Sequence, residues 1–153
     1  MSPRVIVVPS KIADVYRLCA SMRDRDRDEA LAAGADPRRA MRAQFKSGIL
    51  RKTYFVDGRL VAMTGLCGTL LSDVGFPYLV TAKGVENYPV SFVKEAKKAV
   101  EHMLLLRQRL EGYVLADYTG AVRLLETLGF HLDAPEPVKP SGAMFRRFWK
   151  ERG

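Results

Sequence analysis

Apolar and polar positions along this chain fall into short runs with distinct periods. Residues 4–9, RVIVVP, are apolar and β-branched and end at proline, which predicts a first strand. Ser10 is placed to cap a helix whose apolar face carries Ile12, Val15, Tyr16, Cys19 and Met22. The run RDRDRDE that starts at Arg23 has no apolar period. Its unlike charges neutralise one another along the chain, which predicts a solvated helix end or loop and not a binding site. Gly34 reads as a helix stop. Asp36-Pro37 then supplies an N-cap followed by proline at the first helical position, and predicts a helix through about Lys46 with Met41 and Phe45 on its apolar side.

LRKTYFV and RLVAMTG flank Asp57-Gly58, a dipeptide suited to the positive φ angles of a type I′ turn, and together they predict a β-hairpin. Gly65 and Gly68 in the second strand point to a bulge or a close backbone approach. Residues 76–81, FPYLVT, predict another strand. The loop AKGVENYP leads into a long helix over 91–110 with an apolar stripe of Phe92, Ala96, Ala99, Val100, Met103, Leu106 and Leu110, and with Lys94, Lys97 and Lys98 facing solvent. Residues 113–116 predict a buried strand. Thr119 offers a cap for a helix bearing Ala121, Val122, Leu124, Leu125 and Leu128; Gly129 stops it, and Phe130 and Leu132 resume alternation. DAPEPVKPSG reads as a proline-rich loop, and 143–149, AMFRRFW, as a final strand with Phe145 and Trp149 on one face and Phe148 on the other.

With 153 residues, 48% of them hydrophobic and 27% charged, the chain is expected to fold as one domain over 1–153. No apolar run approaches the ~20 residues of a membrane-spanning helix, and the first residues lack the apolar stretch of a signal peptide, so a non-secreted protein is expected. Cys19 and Cys67 form no CxxC pair, and with His102 and His131 they make no zinc set; they read as small buried hydrophobes. The net charge of +8 favours acidic partners.

The pattern A-V-x-L-L-E-x-L-G-F over residues 121–130 resembles the last helix and following strand of GNAT-type N-acetyltransferases, whose usual form is N-x-x-A-x-x-L-Y-x-x-x-G-F. The resemblance implies an α/β fold: a mixed, mostly antiparallel central sheet of six or seven strands, splayed near its middle, with helices on both faces. It also implies where chemistry would lie. Tyr118 stands where the family has Asn, and Leu125 where it has the proton-donating Tyr. The coenzyme loop, R/Q-x-x-G-x-G/A in the family, is T-A-K-G-V-E here: Gly84 is kept, Glu86 replaces the second glycine, and Pro89 removes a donor at the helix start. Catalytic residues, a cofactor and a metal are therefore not expected. Glu111, Asp117 and Glu126 are the carboxylates near the motif, and they read as surface groups.

The strand ending Leu79-Val80-Thr81, the loop to Pro89, the Lys94/Lys97/Lys98 helix and the unit from Thr119 to Gly129 also resemble the internal virion protein A group of short-tailed phages, known as GNAT-like antirestriction proteins. That resemblance implies a non-catalytic virion protein, made in the host cytoplasm. It would bind portal or internal core proteins in several symmetric copies. Two alternatives stand beside it. One is an active N-acyltransferase that holds acetyl-CoA at Leu79, Val80, Thr81, Lys83 and Gly84. The other is a module that contacts DNA phosphates nonspecifically through Arg38, Arg39, Arg42, Lys46, Arg51 and Lys52, with Arg59 and the C-terminal Arg146, Arg147, Lys150 and Arg152 as further cations.

Overall fold

Period-2 segments of this chain pair into one sheet, and period-3.6 segments cover it. The computed structural model describes residues 3–69 and 71–153. The strands are β1 (Val5–Pro9), β2 (Gly48–Val56), β3 (Arg59–Cys67), β4 (Val74–Thr81), β5 (Arg109–Leu115), β6 (His131–Leu132), β7 (Glu136–Val138) and β8 (Ala143–Glu151). They form an open sheet in the order β1-β2-β3-β4-β5-β8-β6, and β7 also pairs with β8. All pairs are antiparallel except β4–β5. The helices are α1 (Ile12–Ser21), α2 (Asp24–Ala32), α3 (Pro37–Ser47), α4 (Pro89–Leu106) and α5 (Thr119–Thr127).

Two apolar layers sandwich the sheet. On one face Val15, Leu18, Cys19 and Met22 of the α1 region, with Met41 of α3, pack on Leu60, Met63 and Ala82. On the other, Ala99, Val100 and Met103 of α4 and Val122 and Leu128 of the α5 region pack on Leu66, Leu110, Val114 and Phe148. β3 is therefore buried from both sides, and its run from Leu60 to Leu66 carries no exposed residue. The Asp57-Gly58 turn has φ of 50° and 81°, as a type I′ hairpin requires. At Gly65 the reason for glycine is space: a Cβ there would lie 2.5 Å from the Tyr78 ring. The Asp36 carboxylate accepts from Arg39 N at 3.0 Å, so the predicted cap of α3 is made.

Several boundaries differ from the sequence reading. The RDRDRDE run is a helix, α2, even though it buries no residue. α4 ends at Leu106, and the chain re-enters the sheet at Arg109, not at residue 113. Leu110 fits the stripe of a helix and the inner face of a strand equally well. Its pairing with Lys150 of β8 and Gly75 of β4 decides the matter. On α1 the buried apolar face is Val15, Leu18 and Cys19, continued by Met22 just past its end, while Ile12 and Tyr16 face outward. Ser10 does not cap that helix; the Asp14 carboxylate accepts from Lys11 N at 2.9 Å instead. Tyr118, not Thr119, occupies the cap position of α5. β7 is the strand beyond the expected six or seven, three residues inside the proline-rich loop. There, on the outer side of β8, the missing N–H of Pro137 is tolerated. Phe145 and Phe148 are buried on opposite faces, and Trp149 stacks on His131 with ring centroids 4.4 Å apart.

Candidate functional site

The sheet opens at its one parallel junction. β4 and β5 pair only through Val74↔Arg109 and Gly75↔Leu110. Beyond those pairs the register with the outer neighbours decides which backbone groups face the gap, because antiparallel residues alternate between bonded and non-bonded pairs. Ala82 N donates to Val61 O at 2.8 Å, so Tyr78 and Val80 spend their backbone groups on β3, while Leu79 and Thr81 turn theirs towards β5. Ala116 N donates to Met144 O at 2.9 Å, so Glu111, Tyr113 and Leu115 turn theirs towards β4. Two inner strand edges thus face each other across a cavity of about 740 Å³. Its walls are mainly apolar. They include Phe92, Ala96 and Leu124 on the α4–α5 side and Ala30, Ala33 and Met41 on the α2–α3 side.

α2 lies across the open ends of these strands and is tied to both. One oxygen of Asp26 accepts from the Tyr118 hydroxyl at 2.8 Å; the other accepts from Thr81 N at 2.7 Å and from the Thr81 hydroxyl. Three residues on, one helical turn along the same face, Glu29 Oε2 accepts from Leu115 N at 2.9 Å. Burial pushes the Glu29 carboxyl up to about 7, an effect that the Leu115 N–H opposes and the Asp26 charge reinforces. Burial and the Asp26 carboxylate also raise Tyr118, which keeps its proton as a donor. The Arg25 guanidinium lies 5.3 Å over the Tyr118 ring and donates to Asp117 at 2.6 Å.

The loop after β4 is satisfied by its own side chain. Gly84 has φ of 103°, which favours glycine, and its N–H points to the Glu86 carboxylate, with both oxygens at 3.1 Å. The N–H groups of Val85, Asn87 and Tyr88 bond to carbonyls of the same loop in a single 3-10 turn, Val85–Asn87. Backbone N–H groups, with Arg23 and Arg59 nearby, hold the Glu86 carboxyl below the usual carboxylate range. The side chain is itself 57% exposed. A carboxylate of this chain therefore occupies the Gly84 N–H that the sequence resemblance assigns to a coenzyme phosphate.

The candidate residues named from sequence separate in space. Leu79, Thr81 and Gly84 reach the gap or its loop. Val80 turns its backbone to β3 and packs its side chain on the α1–α3 layer while still lining the cavity, and Lys83 pairs weakly with Asp24 at 4.0 Å. Arg38, Arg39, Arg42 and Lys46 are exposed on α3. Arg51 is already engaged, donating to Phe45 O at 3.0 Å with its guanidinium 4.7 Å over the Phe45 ring. Lys52, next along β2, falls on the opposite face of the sheet, so the six cations do not make one patch. Lys150 donates to Leu128 O at the end of α5, and Arg152 to Leu104 O at the end of α4; both serve as helix-end partners. Glu111 is paired with Arg109 at 2.6 Å and Arg147 at 2.7 Å, which hold its carboxyl below the usual range and make it a weaker base. Leu125 lines the cavity and offers no donor.

Asp26 and Glu29 were not legible as site residues. A run of alternating charge carries no sign of which face will meet the sheet; only their i,i+3 spacing is visible beforehand. The expectation that this stretch is solvated holds for Asp24 and Asp28 and fails for these two. Among the described residues no group of three or more His, Cys, Asp or Glu could hold a metal ion, and no helix is long and apolar enough to cross a membrane.

Comparison with solved structures identifies the architecture. The chain is similar to an acetyltransferase of the GNAT family from Streptococcus pneumoniae, at 15% identity and TM-score 0.69, covering 98% of this chain and 100% of that one. It is similar to a Bacillus subtilis acetyltransferase in complex with CoA, at 12% identity and TM-score 0.67 over 99% of this chain and 100% of that chain. A Vibrio cholerae spermidine N-acetyltransferase in complex with CoA and spermine gives 12% identity and TM-score 0.68, over 96% and 95%. The fold is the GNAT fold. No family model matches the chain, and no curated protein matches it. None of these three structures is a phage structural protein, and the expectation of a virion component gains nothing from them.

Proposed function

We propose that this chain is an acyl-CoA-dependent N-acyltransferase, with the acylated arm of the cofactor lying in the gap between β4 and β5. The observation that carries the reading is the pair of inner strand edges at Leu79 and Tyr113, which face each other across an apolar cavity. Backbone groups in such a place want partners, and an extended chain of amides supplies them as an added strand would. The residues fit that arm. They fit the diphosphate only once the exposed Glu86 side chain leaves the Gly84 N–H, and Lys83, Arg23 and Arg59 then remain as cations beside the loop.

Bound acyl-CoA would supply the activated acyl group; the chain supplies position and proton handling. Glu29, poised near neutrality and with Oε1 free of any hydrogen bond or ion pair among the described residues, takes a proton from the nitrogen of an incoming ammonium. Asp26 and Tyr118 keep α2 seated so that Glu29 stays at the mouth of the gap. The apolar walls exclude water and keep the carboxylate basic.

Calorimetric titration with acetyl-CoA tests this. A dissociation constant in the micromolar range is expected, weakened about tenfold or more, or ~1.4 kcal/mol, by Gly84→Val, which is strained at that φ and directed at Arg59. Absence of binding up to about 1 mM would sink the reading. In that case a second reading takes over, favoured by the carboxylates that Asp26, Glu29 and Glu86 place on the backbone donors of the site. It is a binding scaffold that has kept the fold and closed its cofactor site with its own side chains.

A further inference from the structure

Within the acyltransferase reading, on which this step rests, we infer that the α2–α3 half of the cavity selects a monoamine carrying an apolar, ring-sized group over a polyamine. The lining residues set the shape. Ala30, Ala33 and Ala40 keep side-chain volume small opposite Tyr78 and Tyr113, and Met41 adds an adaptable apolar wall. Charge sets the number of ammonium groups the space can take. Four carboxylates line the whole cavity: Asp26 and Glu29 stand on the α2 wall, Glu86 on the loop after β4 and Glu95 on α4. Both oxygens of Asp26 are spent on Tyr118 and Thr81, whereas Glu29 has one oxygen bonded to Leu115 N and the other without a partner among the described residues. Asp24 and Asp28 of the same helix are exposed, paired with Lys83 and Arg25. A first ammonium therefore meets one open carboxylate oxygen. A second on the same wall would meet alanine, methionine and tyrosine, with no further open carboxylate oxygen and with the Arg23 guanidinium repelling it.

Calorimetry on the full chain at pH 8, without acyl-CoA, tests this with phenethylamine and spermidine as probes. Phenethylamine is expected to bind at least tenfold more tightly than spermidine. Glu29→Gln should abolish that binding. Ala30→Trp should do the same by filling the space from a helix that buries no side chain. Spermidine binding as tightly or more tightly, phenethylamine binding untouched by both variants, or no binding of either amine would each overturn the inference. An acetyl-CoA titration run alongside separates the two failures. Cofactor binding without amine preference removes only this inference, and amine preference without cofactor binding removes only the acyltransferase reading.

Discussion

Glu29 shows how one half-buried carboxyl couples stability to pH. Its folded pKa, about 7, lies above the ordinary 4.5 because burial disfavours the charged form. The folded state therefore holds the proton more tightly than the unfolded chain does. The resulting stability is fully present below about pH 4.5 and is lost as pH rises through 7. Glu29→Gln removes the titration and keeps an oxygen for Leu115 N. Urea unfolding at pH 5 and pH 8 should show the variant more stable at pH 8, by about 1–3 kcal/mol, and less dependent on pH. An unchanged pH profile would mean that another group carries the dependence. Gly65 argues at the same scale from space. A Cβ there meets the Tyr78 ring at 2.5 Å and the Leu50 carbonyl oxygen, and neither can move without disturbing the β2–β3–β4 ladder. Gly65→Ala should cost roughly 1–3 kcal/mol, read as a lowered melting temperature.

Among the helices, α2 is the one that buries no residue. It docks through Asp26, Glu29, the Arg25–Asp117 ion pair and the Ser141 hydroxyl on Ala32 O. Polar docking of this kind makes a low-stability unit that opens before the sheet does. Tyr118→Phe withdraws one donor from Asp26 and should cost about 1 kcal/mol of α2 closure, seen as severalfold faster amide exchange over 24–32 with α1 and α4 unchanged. Exchange that quickens across the whole sheet would show instead that Tyr118 supports the fold globally. The same polarity explains why this helix is not visible in sequence: helical periodicity is read from an apolar stripe, and here there is none. α3, by contrast, announces itself through Asp36-Pro37 and its Met41/Phe45 stripe.

At the scale of the molecule, the net charge of +8 is spread and not focused. Arg51 lies on Phe45, Lys52 faces the other side, Lys150 and Arg152 close helix ends, and Arg38, Arg39, Arg42 and Lys46 remain together on α3. Whatever affinity the chain has for unrelated duplex DNA should thus follow a log–log salt slope no steeper than about −4, one counterion per contacting cation. A steeper slope would require a second basic surface. By itself the sequence determined the elements whose periods are self-contained: the Asp57-Gly58 hairpin, the α4 stripe as far as Met103 (Leu106 is exposed and Leu110 belongs to β5), the Gly129 stop and, through them, the GNAT-like order of strands and helices. These are fixed by local sterics and by which residues must leave water. Only the tertiary structure decided where β5 begins, which charges of α2 face inward and how wide the β4–β5 gap is. Each depends on groups far apart in the chain, as Glu29 and Leu115 are, and a carboxylate's proton affinity is set by the neighbours it folds against.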